Sequence, residues 1–234
     1  MNSELLTLGL VWYVVFLLSL TCHEASHALA AKLGGDLTAF HEGQVTLNPI
    51  PHMRREPFGT ILVPIISYAL GGWMIGWGSA PYDPAWRLRY PHRAAWMALA
   101  GPAANVVLFV IAAVAIRSGM AAGILSPPVS VRFAHVAAAS AAGWTEGLAT
   151  FLSILFSLNL LLAAFNLLPF PPLDGNSAIG LLMSADAARR FAALTRNPSF
   201  AGLGLLVCWY IFGYIFRPLF AAALSILYSG ISYR

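Results

Sequence analysis

The chain has 234 residues, 59% hydrophobic and 9% charged, with a mean hydropathy of +0.74. A soluble domain carries about 25% charged residues, so the composition excludes an ordinary water-soluble fold and predicts a protein seated in a lipid bilayer. The formal charge of +4 comes from one lysine and twelve arginines against nine acids, and these are spread along the chain, with no basic run of the kind that binds nucleic acid.

The first apolar segment covers about residues 4–32 and stops at Gly34-Gly35. It lacks the basic start of a signal peptide and is expected to be retained. It carries His23-Glu24-Ala25-Ser26-His27, an H-E-x-x-H metal-hydrolase signature, with no turn residue between signature and apolar run. Residues four apart share a helix face, so both imidazoles can hold one ion while Glu24 points toward its bound water. Ionisable groups at such depth are costly and mark a functional site by default. Cys22 points to another face and, like Cys208, reads as a packed thiol.

Residues 36–57 are polar and broken by Pro49, Pro51 and Pro57, with 44–50 read as extended. Segment two, 58–78, is apolar but interrupted by Pro64 and by glycines at 71, 72, 76 and 78. Segment three spans about 93–116. A loop with Pro127 and Pro128 follows, then an alanine-rich stretch, 131–142, with no assigned structure. Segment four, 144–168, opens with Glu146 near its positive end and stops at Pro169-Phe170-Pro171-Pro172. A shorter interfacial helix is expected over 177–194. Segment five runs from about 200 to 228, with a kink or break at Arg217-Pro218. The expected fold is an all-α polytopic membrane protein with about five to six membrane segments, one of them re-entrant or hairpin-like with extended backbone. Residues 1–234 are read as one membrane-embedded domain.

Two histidines do not complete a catalytic zinc site, which takes three protein ligands and an open position. The best third candidate is Asp174 in Leu173-Asp174-Gly175, after the proline turn, where the glycine allows close backbone approach. On spacing alone an ordinary Asp-Gly turn is an equal reading. For Asp174 to meet the end of segment one, segments one and four must run parallel, so one segment between them makes no net crossing. Segment two is the candidate: it re-enters, or crosses as a helix and returns extended through Trp73 to Tyr82. One face then receives Lys32, Arg54, Arg55, Arg87, Arg89, Arg93, Arg189, Arg190 and Arg196, and the other Arg117 and Arg132. By the positive-inside rule this places the metal near the cytoplasmic face. Asn105 reads as a helix-packing residue. His41, His52, His92 and His135 read as exposed or interfacial. The tryptophans at 73, 77, 86, 96 and 144 read mostly as an interfacial belt.

These residues resemble the site-2 protease family of intramembrane zinc metalloproteases. The matching elements are His23 to His27, Ala100-Gly101-Pro102-Ala103-Ala104-Asn105, and Asn166-Leu167-Leu168-Pro169-Phe170-Pro171-Pro172-Leu173-Asp174-Gly175. They cover a catalytic core of about 5–180, with C-terminal helices over 181–234. The resemblance implies one zinc ion per chain held by His23, His27 and Asp174, with Glu24 as catalytic base and Asn166 in a supporting role. Asn166 is read equally as an oxyanion donor or as the partner of a loop carbonyl. The implied activity is cleavage of transmembrane protein substrates within a bacterial or archaeal cell membrane. The chain looks like a minimal member, without the PDZ or CBS domain of many relatives. A non-proteolytic zinc-binding scaffold of the same fold is the alternative. A metal transporter is the other rival, but it requires further intramembrane carboxylates, and none is clearly placed.

Overall fold

The computed structural model describes residues 3–195, 197–229 and 233. In chain order they form α1 (Ser3–Leu33), α2 (Thr38–His41), α3 (Pro49–Arg55), a π-helical turn (Phe58–Leu62) running into α4 (Val63–Gly71), α5 (Pro84–Arg89) and α6 (Pro91–Ala121). There follow β1 (Leu125–Ser126), β2 (Ala138–Ala139), α7 (Trp144–Asn166), α8 (Asp174–Ala178) with a 3-10 turn (Ile179–Leu182), α9 (Ala185–Thr195) and α10 (Pro198–Leu227). A helix that spans a bilayer needs about 20 apolar residues. Among the described residues, four helices, α1, α6, α7 and α10, are long and apolar enough. The apolar stretch Phe58–Gly71 is shorter; at 1.5 Å per residue it reaches about 21 Å against a hydrocarbon core of about 30 Å.

Contacts with α1 show where segment two goes. Its start lies by the C-terminal half of α1: Glu56 Oε1 accepts from Ser79 Oγ at 2.6 Å, and a β-carbon on the neighbouring Gly78 would stand 2.8 Å from Glu24 Oε1 of α1. It reaches the opposite end, where Tyr68 Oη donates to Leu5 O at 2.9 Å. The helix stops at Gly72 with φ 73°, a left-handed conformation that glycine takes without steric cost. The chain then returns without regular structure, and Asp83 N donates to Asp36 Oδ2 at 2.8 Å, back at the C-terminal end of α1. The two legs touch through their backbones, with Trp77 N donating to Gly59 O at 3.2 Å. A β-carbon at Gly59 would stand 2.8 Å from the Trp77 ring, and one at Gly76 would strike Gly59 O. Segment two therefore makes no net passage along α1, as the sequence required.

α6 runs antiparallel to α1 and lies between α1 and α7. α7 runs parallel to α1: Ser153 meets residues 136 and 137 at the remote end, and Asn159 meets Ser19 nearer the metal end. α10 packs against α7 and ends at the remote face, where Arg117 Nη1 donates to Leu227 O and Tyr228 Oη to Val136 O. The core gathers Trp12, Phe16, Ile116, Ile154, Phe156 and Tyr228.

Several local expectations change. Pro218 lies inside a continuous α10; a proline removes one ladder bond, and the flanking bonds keep the helix going. The helix expected over 177–194 is divided, because Ser184 restarts it by accepting Ala187 N at its hydroxyl and Ala188 N at its carbonyl. The alanine-rich stretch carries β2, paired antiparallel with β1 as Leu125↔Ala139 and Ser126↔Ala138. Residues 44–50 are a loop and the start of α3, where Asn48 Oδ1 caps Ile50 N at 3.0 Å. Arg196 lies outside the described residues.

Candidate metal centre

His23 and His27 sit one turn apart on α1, each about 95% buried, and Asp174 opens α8 just beyond α7. His23 Nε2 lies 3.0 Å from His27 Nε2, and Asp174 Oδ2 lies 3.1 and 3.3 Å from these two nitrogens. Bonds of 2.0–2.1 Å to a tetrahedral ion imply ligand–ligand edges of about 3.3 Å, so the triangle has the size of three zinc ligands. Among the described residues this is the one His/Cys/Asp/Glu cluster whose donor atoms lie within 4.8 Å of one another.

Hydrogen bonding behind the rings supports the same reading. His27 Nδ1 stands 2.7 Å from Met97 O, which can only accept, so Nδ1 carries the proton. His23 Nδ1 meets Asn105 Oδ1 at 2.6 Å in the same sense. When both imidazoles are neutral, that form turns both Nε2 lone pairs, with a carboxylate oxygen, toward one point. Three such acceptors repel one another, and a metal cation bound between them would relieve that repulsion. A ligating histidine whose other nitrogen donates to an amide or carbonyl oxygen is the usual arrangement at such sites.

Glycines clear the space. A β-carbon at Gly101 of α6 would stand 2.5 Å from His23 Nε2 and closer still to His27 Nε2. One at Gly78 would stand 2.8 Å from Glu24 Oε1, so the returning leg of segment two passes against the Glu24 carboxyl. A β-carbon at Gly175 would strike Leu167 O and Leu168 O. The close approach expected of Gly175 is real, and it seats Asp174 against the end of α7. Asp36, beyond α1, holds the entry to α5: it accepts from Thr38 N, Thr38 Oγ1 and Asp83 N at 2.9, 2.6 and 2.8 Å.

The structure brings His23, His27 and Asp174 together with Glu24 on the adjoining face of α1. Asn166 is half-buried at the end of α7, and its Nδ2 donates to Leu162 O at 3.0 Å. Asn105, read as a buried residue that ties helices together, does so by bonding α1 and α7, and one of its partners there is His23. His52 is buried, not exposed, with Nε2 donating to Thr46 O at 3.0 Å. Trp86 leaves the expected belt: it is buried and its Nε1 donates to Gly34 O at 3.0 Å, while Trp73, Trp77, Trp96 and Trp144 are exposed. Cys208 is buried and Cys22 half-buried.

The sequence model of peptidase family M50 matches residues 11–208. Similar proteins named "Putative zinc metalloprotease" include YwhC of Bacillus subtilis, 35% identical over 171 residues that cover 72% of this chain and 68% of YwhC. Rip2 of Mycolicibacterium smegmatis is 32% identical over 177 residues, covering 76% of this chain and 59% of Rip2. Rip2 of Mycobacterium tuberculosis H37Rv is 31% identical over 193 residues, covering 82% and 63%. The chain thus spans less than two thirds of either Rip2. No solved structure matches it. With the match running from the first long helix past the aspartate block, and the metal donors of both motifs meeting at one point, the chain belongs to peptidase family M50, the membrane-embedded site-2 protease family.

Proposed function

We propose that the protein is an intramembrane zinc-dependent endopeptidase that hydrolyses peptide bonds in or near transmembrane segments of other membrane proteins. The observation that carries this reading is the meeting of Asp174 Oδ2 with His23 Nε2 and His27 Nε2, which share with Glu24 a helix apolar enough to cross a bilayer. A zinc ion, one per chain, would be held by these atoms and would supply Lewis acidity at the scissile carbonyl and bring the pKa of a water to about 7. Glu24 would take a proton from the attacking water on its carboxylate and return it to the leaving amine nitrogen. Asn166 has two amide hydrogens; one serves Leu162 O, and the other donates to the developing oxyanion.

A transmembrane helix hides its peptide bonds, so the substrate unwinds locally before it is cut. The irregular leg from Trp73 to Tyr82, which passes Glu24 at Gly78, offers backbone for pairing with an extended substrate. Helix-breaking residues placed near the cut are expected to raise the cleavage rate, and a scan showing no such benefit contradicts this step. Lys32, Arg54, Arg55, Arg87, Arg89, Arg93, Arg189 and Arg190 belong to the metal end, with Arg117 and Arg132 at the other. That distribution supports a site near the cytoplasmic face of a bacterial or archaeal cell membrane.

The test is purified protein in liposomes with a model transmembrane substrate, with chelator and then with zinc restored. Cleavage should vanish with the chelator and return with zinc. Zinc binding without cleavage assigns the chain to a scaffold role, and cleavage that survives full chelation overturns the metal mechanism.

A further inference from the structure

His27 receives its orientation from one backbone carbonyl, but His23 rests on a side-chain amide that is free in principle to turn over. What prevents this lies deeper between the helices. Ser19, Asn105 and Asn159 are each 0% exposed, and they come from α1, α6 and α7 respectively. Asn159 Nδ2 lies 2.8 Å from Leu155 O and 2.9 Å from Ser19 Oγ. Leu155 O can only accept. Ser19 Oγ has already given its single proton to Val15 O at 2.7 Å, so it too accepts. The atom of Asn159 that faces them must therefore be its NH2 group, which leaves Oδ1 facing Asn105. That oxygen receives Asn105 Nδ2 at 2.8 Å, and Ser19 O stands 3.4 Å from the same nitrogen. Asn105 Oδ1 is then the atom presented to His23, at 2.6 Å, and it accepts only if Nδ1 carries the proton.

We propose that Asn159 is a positioning residue for the metal centre: anchored by Leu155 O and Ser19 Oγ, it holds the Asn105 amide oxygen toward His23 and so keeps the His23 Nε2 lone pair available to zinc. The proposal deepens the metal-site reading and rests on it. An Asn105 amide turned the other way would offer N–H to Nδ1, and the proton would pass to Nε2, where it blocks coordination. In Asn159→Leu, similar in volume and without polar atoms, Asn105 loses its close acceptor and keeps only Ser19 O at 3.4 Å to orient it. In Asn159→Asp the buried carboxyl is kept neutral by desolvation, so it can donate to Leu155 O and accept from Asn105 as the amide does.

The experiment measures zinc affinity by competition with a chromophoric chelator in micelles, together with thermal midpoints, for wild type, Asn159→Leu, Asn159→Asp, Asn105→Ala and Asn105→Ala/Asn159→Leu. Changes behind a metal ligand cost about 10–100-fold in affinity. Asn159→Leu should weaken zinc about 10-fold, Asn159→Asp should recover most of that loss, and the double variant should bind no more weakly than Asn105→Ala. A packing role alone predicts lower thermal midpoints with unchanged affinity per folded molecule. That result, or independent losses that multiply in the double variant, overturns the proposal. If Asn159→Leu does not fold, 15N shifts of labelled histidine in metal-free wild type decide: Nδ1–H at His23 supports the relay, and Nε2–H overturns it. Wild type that binds zinc but spares every substrate defeats the peptidase reading alone. Affinity insensitive to Asn159 with cleavage intact defeats the relay alone.

Discussion

The three helices α1, α6 and α7 enclose two unlike interiors. Away from the metal they are filled by volume: Trp12, Phe16, Ile116, Ile154 and Phe156 are nearly or fully buried, and the Phe109 and Phe156 rings meet with centroids 4.6 Å apart. One or two turns along, Ser19, Asn105, Asn159, His23 and His27 lie at the same depth, each joined to a named partner. An apolar core accepts rearrangement if its volume is kept. A buried polar layer does not, because each donor or acceptor left alone costs about 1–3 kcal/mol. The remote half should therefore govern stability, and the metal half geometry and chemistry.

The largest expected effect separates chemistry from binding inside the metal half. Glu24→Gln should cut the turnover rate by about 10²–10⁴-fold, the range for a positioned acid–base group, while bound zinc stays at the wild-type level. Full activity in that variant would remove Glu24 from the mechanism. Phe156→Ala probes the opposite half: it should cost about 3–5 kcal/mol of stability and leave zinc affinity per folded molecule unchanged. A loss of affinity there would break the division between the halves.

Gly101→Ala sharpens the comparison from the metal side. Its methyl group would enter the space of both Nε2 atoms, so zinc affinity should fall about 100-fold, at the upper end for changes around ligands. Gly213→Ala in α10, where a β-carbon meets nothing within 4 Å, should leave zinc untouched and favour the helix by about 0.5–1 kcal/mol. Equal zinc titrations for the two variants would refute the crowding account.

The smallest effect concerns Asp36, which ties the end of α1 to α5. Burial of its carboxyl acts to raise the pKa, but donation from Thr38 Oγ1, Thr38 N and Asp83 N outweighs it and the pKa is lowered. A depressed folded value means stability that is fully present above the unfolded value of about 3.9 and lost as pH falls through the folded value. Wild type should exceed Asp36→Asn by about 2 kcal/mol at pH 6, and the gap should close well below pH 4. A gap that widens in acid contradicts the assignment.

Much of the site could be read from the chain because its parts are local. His23 and His27 share a helix face by spacing, Asp174 follows a proline stop, and their required meeting forced segment two to double back. The amide relay could not be read that way. Asn105 and Asn159 are isolated polar residues in apolar helices, 54 positions apart, and periodicity does not say which helices will face each other. The continuity of α10 through Pro218 was likewise hidden, since a proline weakens a helix locally while its length and apolar neighbours decide whether it persists. His52 and Trp86 were misplaced for a related reason: burial in the short helices α3 and α5 depends on partners such as Thr46 O and Gly34 O that no local pattern reveals.

The most direct test of the central claim is zinc content and cleavage of a reconstituted transmembrane substrate, measured side by side for wild type and Asp174→Ala. Wild type should carry one zinc ion per chain and cut, and Asp174→Ala should lose both zinc and cleavage while remaining folded. An Asp174→Ala protein that holds zinc and cuts as wild type does would contradict the account, because the third ligand would then lie elsewhere.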